Sequence, residues 1–378
     1  MKKLFIIIVT TIMSLHLMAQ FECQIIPSNS KSSQNFNSIA YIPNNNTTVK
    51  IIRVNIHYML RATGTPLNFT ETDDGNGNSN YTGYNFAEDL VNLANTRLNS
   101  NHQLNIPPTN TIAILPRKYQ YILNGVYFHR NDSYYIYPSY PNDIYGQNKG
   151  EAINVYLELM NNSTAGGHGN MDGIRYVELK GSWEAYVANP YDFPTVLWIK
   201  AEQLNHEIGH NLSLLHSLRY DDGPCNPNQE DYCSDTPTGI SIINAYGFDP
   251  CCGWNQQGTL YNGMLLCSNN LMDYTGDDAI SPEQLGRIHW TLENELKNYQ
   301  TCHFSLSSLD VCGNFGYPQK VYIASNINAP GSSCSPQQAI LQNNKKAIFI
   351  GNNTVILNPG FEVQLGSEFE IQMNNICP

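Results

Sequence analysis

A short stretch of the chain carries three histidines and a glutamate: His206-Glu207-Ile208-Gly209-His210-Asn211-Leu212-Ser213-Leu214-Leu215-His216. On a helix, His206 and His210 lie one turn apart on one face, so both imidazoles can reach a single metal ion. A catalytic zinc site takes three protein ligands and keeps a fourth position for water. His216 can supply the third ligand if the chain leaves the helix and turns back, and Glu207 lies close enough to act on the water. The stretch therefore predicts a catalytic zinc site.

The residues around this stretch predict an amphipathic helix. At about 100° per residue, one apolar stripe is formed by Leu197, Ala201, Leu204, Ile208, Leu212 and Leu215. The paired histidines fall on the opposite side, so burial of the stripe in a core turns them toward a cleft. Pro194 and Thr195 are suited to the start of this helix.

The chain resembles the metzincin zinc peptidases, whose signature is His-Glu-x-x-His-x-x-Gly-x-x-His followed by a methionine turn. Its later residues are most similar to the pappalysin/cytophagalysin branch, through Asp235-Thr236-Pro237 and Asn270-Leu271-Met272-Asp273-Tyr274. The resemblance covers residues 49–300. It implies an α+β catalytic domain with a twisted mixed sheet, an active-site helix, a cleft and a lower subdomain rich in loops and disulfides.

One position departs from the family pattern, because Ser213 stands where the family has glycine. That glycine lets the chain leave the helix with positive φ, and serine in the same conformation costs on the order of 1 kcal/mol or more. The placement of His216 therefore depends on how the chain bends at Ser213.

The resemblance also implies roles for individual residues. Glu207 would act as general base on the zinc-bound water. Met272 would form a hydrophobic floor under the zinc histidines without binding the ion, and the Tyr274 hydroxyl would hydrogen-bond the tetrahedral intermediate.

Later in the chain, Ser281-Pro282-Glu283-Gln284 has the pattern of a capping box, which predicts a helix reaching to about Asn298.

The composition restricts the protein class. The chain has 378 residues, 14% of them charged, with a net charge of −12 and no basic run, which disfavours nucleic acid and anionic membranes as partners. Residues 1–19 have the pattern of a secretory signal peptide, and no later stretch is long and apolar enough to span a bilayer. Ten cysteines fit disulfides in an oxidising compartment, so we expect a secreted, extracellular protein.

Residues 20–47 are polar and predict an exposed leader or short pro-segment. Cys23 lies alone within it. In some relatives a pro-segment cysteine binds the zinc and displaces the catalytic water, so a latency switch is one interpretation of Cys23. An ordinary disulfide is the other, and the even number of cysteines favours it.

The catalytic domain is expected over residues 48–300. Apolar alternation predicts a first strand at 49–58 and further strands at 112–115 and 152–157, and helical spacing predicts a helix at 84–98. Residues 165–170 have a loop pattern, whose glycines either let a substrate backbone approach an edge strand or serve turn chemistry. His168 within it has no partner at ligand spacing.

An acidic, cysteine-bearing stretch follows the third histidine. Its carboxylates are those of Asp221, Asp222, Glu230, Asp231 and Asp235. Carboxylates on a loop suit structural calcium, which the resemblance implies, but a solvated acidic loop is the commoner case. The family resemblance also implies a disulfide from Cys251 or Cys252 to Cys267.

Residues 303–378 change in character and predict a small all-β module. Short strands are expected at 347–350, 355–357, 361–363 and 369–373, separated by Asn, Pro and Gly turns. A disulfide between Cys334 and Cys377 would staple it. With no catalytic cluster of its own, the module would serve surface or matrix contact.

The sequence as a whole predicts a secreted zinc endopeptidase that hydrolyses peptide bonds in protein or peptide substrates. Two alternatives stay open: a surface adhesin or binding protein that keeps zinc but has lost turnover through Ser213, and a zinc hydrolase acting on a non-peptide bond. The intact Glu207 argues against the first, and the glycine-rich rim argues against the second.

Overall fold

The fold is taken from a computed structural model of the chain. It describes residues 38–133, 141–160, 166–171, 173–189, 192–218, 231–248, 260–262, 264–265, 267–273, 277–301, 308–315, 320–343 and 345–373. The predicted signal peptide and most of the predicted leader, with Cys23, lie outside these residues. The described end of the predicted leader contains a 3-10 helix, Ser38–Tyr41.

Helices and strands are mixed along the chain. The α-helices of the described residues are α1 (Gly83–Leu98), α2 (Pro141–Tyr145), α3 (Ser182–Ala188), α4 (Phe193–Asn211), α5 (Gly239–Tyr246) and α6 (Pro282–Asn294), with a second 3-10 helix at Lys297–Tyr299. The strands up to the methionine turn are β1 (Lys50–Leu60), β2 (Tyr119–Arg130), β3 (Ile153–Glu158), β4 (Gly167–Gly169), β5 (Tyr176–Lys180), β6 (Leu260–Tyr261) and β7 (Met264–Leu265). The later strands are β8 (Ser308–Asp310), β9 (Gly313–Phe315), β10 (Lys320–Ala329), β11 (Ala339–Leu341), β12 (Lys346–Leu357), β13 (Phe361–Val363) and β14 (Glu368–Met373).

The central sheet is mostly parallel, and its order through the first part of the chain is β2-β1-β3-β5-β4. β1 pairs in parallel with β2 and with β3, and β5 pairs in parallel with β3. Among these five strands, β4 is the one that runs antiparallel to its neighbour, β5. The predicted mixture of helices with a mixed sheet is confirmed, and β4 is the edge strand of the described sheet on this side.

The hydrophobic core lies between one face of this sheet and the helices α1 and α4. Val54, Ile56 and Tyr58 alternate along β1 and are fully buried against apolar side chains such as Leu90 and Leu204. Because side chains alternate between faces with a period of two, the intervening residues of β1 point away from the helices. Helices α1 and α4 therefore lie on the same side of the sheet, and α4 reaches the β4 edge, whereas α2 lies on the other side, where Asn142 contacts Asn154 and Tyr156.

The opposite face of β1 is buried too, but it is polar. His57 Nε2 lies 2.8 Å from Asn154 Oδ1, and His57 Nδ1 lies 2.8 Å from His129 Nε2. The amide oxygen can only accept, so His57 carries its proton on Nε2 and accepts from His129. Burial lowers the pKa of His57 to about 3 and that of His129 to about 4.

The described strands after residue 301 form a parallel arrangement that winds between two sheets, and we call this region the coil. The chain alternates between two sheets, one containing β10, β12 and β14 and the other β9, β11 and β13, with every pairing inside these two sets parallel. Small and apolar side chains such as Ala324, Leu341 and Phe349 fill the space between them. β10 also pairs with β2 through Lys320 and Gly125, so these strands extend the central sheet.

Several local predictions are confirmed. The first strand, the helix at 84–98, the strand at 152–157 and the capped helix after Ser281 all form, the last ending at Asn294. Of the C-terminal strands, 361–363 and 369–373 are confirmed, while 347–350 and 355–357 belong to one strand, β12.

Other local predictions are wrong. Residues 112–115 are not a strand, and the strand that pairs with β1 begins later, at Tyr119. The expected loop at 165–170 contains strand β4, because its backbone pairs with β5. Cys334 is bonded to Cys312 rather than to Cys377, since the coil brings these two cysteines together.

Candidate metal centre

Helix α4 carries the first two histidines and spans the predicted range. It begins after Asp192 with Pro194 in its first turn and ends at Asn211. All six residues of the predicted apolar stripe are buried. His206 and His210 lie on the other side as expected, but they are buried as well, so the helix is enclosed on both faces around the site. The open cleft stays a prediction.

The exit of α4 decides where the third histidine lies. Ser213 has φ of +68°, the conformation that the family glycine would adopt. The Ser213 N–H donates to the His210 carbonyl at 2.9 Å and the Leu214 N–H to the Gly209 carbonyl at 3.0 Å, the hydrogen-bond pair of a Schellman motif. Serine therefore turns the chain in the way that glycine would, and His216 folds back beside the helix.

The three imidazoles converge through their Nε2 atoms. His216 Nε2 lies 3.2 Å from His206 Nε2 and 3.1 Å from His210 Nε2, and the three ligand atoms all lie within 4.8 Å of one another. This is the one group of three or more potential metal-binding side chains found among the described residues.

Backbone carbonyls fix the tautomers of the first two histidines. His206 Nδ1 lies 2.8 Å from the Leu271 carbonyl oxygen, and His210 Nδ1 lies 2.9 Å from that of Leu214. A carbonyl can only accept, so both Nδ1 atoms carry the proton and both Nε2 atoms present a lone pair. Orientation of a ligand histidine by a hydrogen bond from its other nitrogen is usual in metal sites.

This arrangement fits a small cation. His216 Nε2 can carry at most one proton, which would satisfy only one of the two lone pairs on His206 and His210. A cation between the rings would satisfy all three nitrogens. Tetrahedral Zn²⁺ with Zn–N bonds of about 2.0–2.1 Å places its ligands about 3.3–3.4 Å apart, close to the distances found here. The three nitrogen donors therefore fit zinc. The donor types alone do not decide which metal ion the site takes.

Burial keeps the rings of His206 and His210 neutral. Burial lowers the pKa of His206 to about 4, opposed by its hydrogen bond to Leu271. Burial, followed by the neighbouring His216 and His206, lowers the pKa of His210 well below its ordinary value. Neutral imidazole is the form that binds a metal, so the site is prepared for a cation at neutral pH.

Glu207 lies against strand β4 and is only 2% exposed. A Cβ atom on Gly167 would overlap the Glu207 carboxylate, and one on Gly169 would overlap the Glu207 carbonyl oxygen. Glycine is thus required because β4 and α4 approach closely at the glutamate. The sequence suggested substrate approach or turn chemistry for these glycines. It could not indicate the contact with Glu207, because that contact depends on the fold.

The methionine turn lies under the site. Met272 is fully buried, and its sulfur fills the space beside Gly209, between the two helical histidines. The Met272 carbonyl accepts from the Ser217 N–H at 3.2 Å, which ties the turn to the segment carrying His216. The contact with Gly209 places Met272 against helix α4, and its role as a floor under the zinc histidines stays a prediction.

A second buried carboxyl lies near the candidate base, and sequence reasoning missed it. Glu202 is one turn before His206 on the same face of α4 and is nearly fully buried. Burial raises its pKa to about 8, although the charge of Arg97 opposes this. The sequence offered one signal for Glu202, its spacing of one helical turn from the predicted ligand His206. A glutamate at that spacing could equally have been a surface residue.

The Asp-Thr-Pro motif anchors helix α6. Asp235 accepts hydrogen bonds from the Ser281 hydroxyl at 2.6 Å and the Glu283 N–H at 2.8 Å. Asp231 accepts from the Cys233 N–H at 3.0 Å and the Thr236 hydroxyl at 2.6 Å. Protein donors thus occupy these two carboxylates, which lie in the stretch where calcium was expected.

Several predicted residues lie outside the described part of the chain. These are Tyr274, Cys23, Cys251, Cys252 and the acidic residues Asp221, Asp222 and Glu230. Calcium therefore stays a prediction. Cys267 is disulfide-bonded, and Cys233 is a buried free thiol.

No protein-family model matches this chain. A search of curated proteins likewise finds no significant match. Within the described residues, no helix combines the length and the apolar character needed to cross a membrane. The interpretation of the site therefore depends on its own residues.

Proposed function

We propose that the protein is a secreted zinc endopeptidase, similar to the pappalysin/cytophagalysin branch of the metzincins. One observation carries the proposal: three buried Nε2 atoms converge, and the lone pairs of two of them are fixed by backbone carbonyls. Glu207 directly follows the first of these histidines in the chain. Converging lone pairs without a cation would be repulsive. The methionine under the helix supports the same interpretation.

His206, His210 and His216 would hold the ion. When bound, zinc would supply Lewis acidity toward the scissile carbonyl and toward a water molecule. Glu207 would accept a proton from water and pass it to the leaving amine. Tyr274 is proposed to hydrogen-bond the developing oxyanion.

The edge strand β4 favours a peptide substrate. It pairs with β5 on one side, and it ends the described sheet on the other. An extended peptide could add to this edge through main-chain hydrogen bonds, which would place its backbone beside Glu207. Protein or peptide chains fit this edge better than a compact non-peptide substrate.

The test is cleavage of an unstructured protein such as casein by the secreted protein and its Glu207→Gln variant, with bound zinc measured in both. Glutamine keeps the shape of the side chain in its tight contact with Gly167 but cannot accept the proton. We expect zinc in both and a loss of activity of about 100-fold or more in the variant. Equal cleavage by both proteins would contradict the role of Glu207.

The alternative of a zinc-containing adhesin predicts a different result, namely zinc in both proteins and cleavage by neither. Latency through Cys23 would give the same result, so the assay is repeated after removal of residues 20–37. Cleavage that appears only then supports latency, and continued inactivity supports the adhesin. Ser213 gives no geometric reason for lost zinc binding, since it adopts the conformation of the family glycine.

A further inference from the structure

Ser213 creates a local problem that the rest of the chain must solve. It is a non-glycine residue in the left-handed region, and the two residues that follow it direct the chain back to His216. A side chain in this conformation is disfavoured relative to glycine. A contact from outside the helix would offset this cost by stabilising the turn.

Both ends of one peptide unit are held at this turn. The Leu214 N–H donates to the Gly209 carbonyl, which belongs to the helix. The Ser213 carbonyl, on the other side of the same peptide bond, accepts from Arg287 Nε at 3.2 Å and from Arg287 Nη2 at 3.0 Å. Two donors of one guanidinium on a single oxygen fix the orientation of that peptide plane.

This peptide plane controls two features of the site. The Leu214 carbonyl that follows it accepts from His210 Nδ1 and so sets the tautomer of that ligand. His216, two residues later, reaches the other histidines only if the chain continues in this direction. Arg287 lies on α6 and is 2% exposed, so it acts from inside the protein and contacts the turn through the backbone.

We infer that Arg287 is a positioning residue for the metal centre, which compensates for serine at the glycine position by holding the Ser213 carbonyl. The inference rests on the proposed metal site, though not on peptidase activity. It predicts a coupling between two residues: Arg287 matters for metal binding because residue 213 is serine, and it matters less if that residue is glycine.

The experiment measures zinc affinity by competition with a chelator in the full chain. Arg287→Met keeps much of the volume but removes every donor, and we expect about 10- to 100-fold weaker zinc binding, the usual loss for residues that orient ligands. Arg287→Lys can supply one donor from a flexible ammonium and should lie in between. Ser213→Gly added to Arg287→Met should restore at least half of the loss on a logarithmic scale, while Ser213→Gly alone changes affinity less than about threefold.

Arg175→Met is the matched control, because Arg175 is an equally buried arginine that pairs with Glu295 at 2.7 Å. It should lower the melting temperature without changing zinc affinity. Unchanged zinc affinity in Arg287→Met would overturn the inference. A loss that Ser213→Gly does not restore would also overturn it, since Arg287 would then act through general packing. Failure of the wild-type protein to bind zinc would instead overturn the proposed function, and this inference with it.

Discussion

The region around α4 and the coiled strands at the C-terminal end are stabilised in different ways. The second half of α4 is buried on all sides, and some of its polar groups have specific partners, as His206 Nδ1 has with the Leu271 carbonyl and Asn205 Nδ2 has with the Ala94 carbonyl. The C-terminal strands instead enclose small and apolar side chains, and their pairs repeat in parallel from one coil to the next. One region depends on individual contacts and the other on repetition.

This difference has a physical reason. A buried polar group without a partner costs about 1–3 kcal/mol, so a buried metal centre needs a defined donor or acceptor for each group. An apolar interior tolerates changes that preserve volume and pattern. Substitutions near α4 should therefore alter function beyond any change in stability, and those in the coil should alter stability at constant function.

The largest expected effect comes from removing a ligand. His216→Ala leaves two nitrogens, and we expect zinc affinity to fall by more than about 100-fold, since even residues that only orient ligands cost 10- to 100-fold. Cleavage should fall to the background rate. The measurement is zinc content after dialysis against a weak chelator, with circular dichroism as the control for folding. Retention of stoichiometric zinc would show that His216 is not a ligand.

The reciprocal change is Phe349→Ala in the coil. Phe349 is fully buried, and its ring centroid lies 4.9 Å from that of Phe369 and 5.3 Å from that of Tyr322. Truncation should cost about 3–5 kcal/mol of stability, measured by denaturant unfolding, because a cavity remains. Zinc affinity should stay within about twofold of wild type, since no ligand moves. A parallel loss of zinc would mean that the two regions are coupled through β10 and β2.

The candidate site was predictable because its information is local. The ligand spacing, the apolar stripe and the capping box at Ser281 each lie within a few residues, and the corresponding helices form as predicted. The missing glycine suggested a different bend at Ser213, but contacts from α6 stabilise the same turn. Arg287 is 74 residues away from Ser213, so no local pattern could have indicated it.

The sheet was less predictable because its pairings are not local. Residues 112–115 are as apolar as a strand, yet β1 pairs with β2, which begins at Tyr119 and has a mixed pattern that includes Asn124 and His129. Strand β4 consists of two glycines and a histidine, and its pairing with β5 makes it a strand. In the coil, the partner of Cys334 depends on how the chain returns after β10.

A smaller effect should follow from filling the contact between β4 and α4. Gly169→Ala places a methyl group against the Glu207 backbone, so overpacking should cost about 1–3 kcal/mol of stability and shift Glu207. Peptidase activity should fall by more than the stability change accounts for under conditions where the variant stays folded. Gly173→Ala is the control, since Gly173 has φ of +65° but open space around it, and it should lose stability without losing activity. Wild-type activity of Gly169→Ala would show that the close approach is not required.

A gradual effect, spread over more than two pH units, concerns the region that contains histidines. His289 on α6 is buried, and its Nε2 donates to the Arg117 carbonyl at 2.8 Å. Burial lowers its pKa to about 4; the hydrogen bond and Glu293 oppose this, while Lys50 adds to it. Between the unfolded value of about 6.5 and the folded value of about 4, the unfolded chain binds more protons, so stability contributed by His289 is present above pH 6.5 and is lost as the pH falls.

His289→Gln retains a side-chain donor and removes this titration. Between pH 6.5 and 4, the stability of wild type should therefore fall relative to that of the variant, by up to about 1.4 kcal/mol per pH unit. Comparison with the variant is needed because buried carboxyls such as Asp231, whose pKa burial raises to about 7, change stability in the opposite direction. Residues 308–373 contain no histidine, so hydrogen exchange in the coil should show no difference between the two proteins in this range. A difference in the coil of the same size as that in α6 would mean that the two regions unfold as one unit, and that the contrast between them is confined to function.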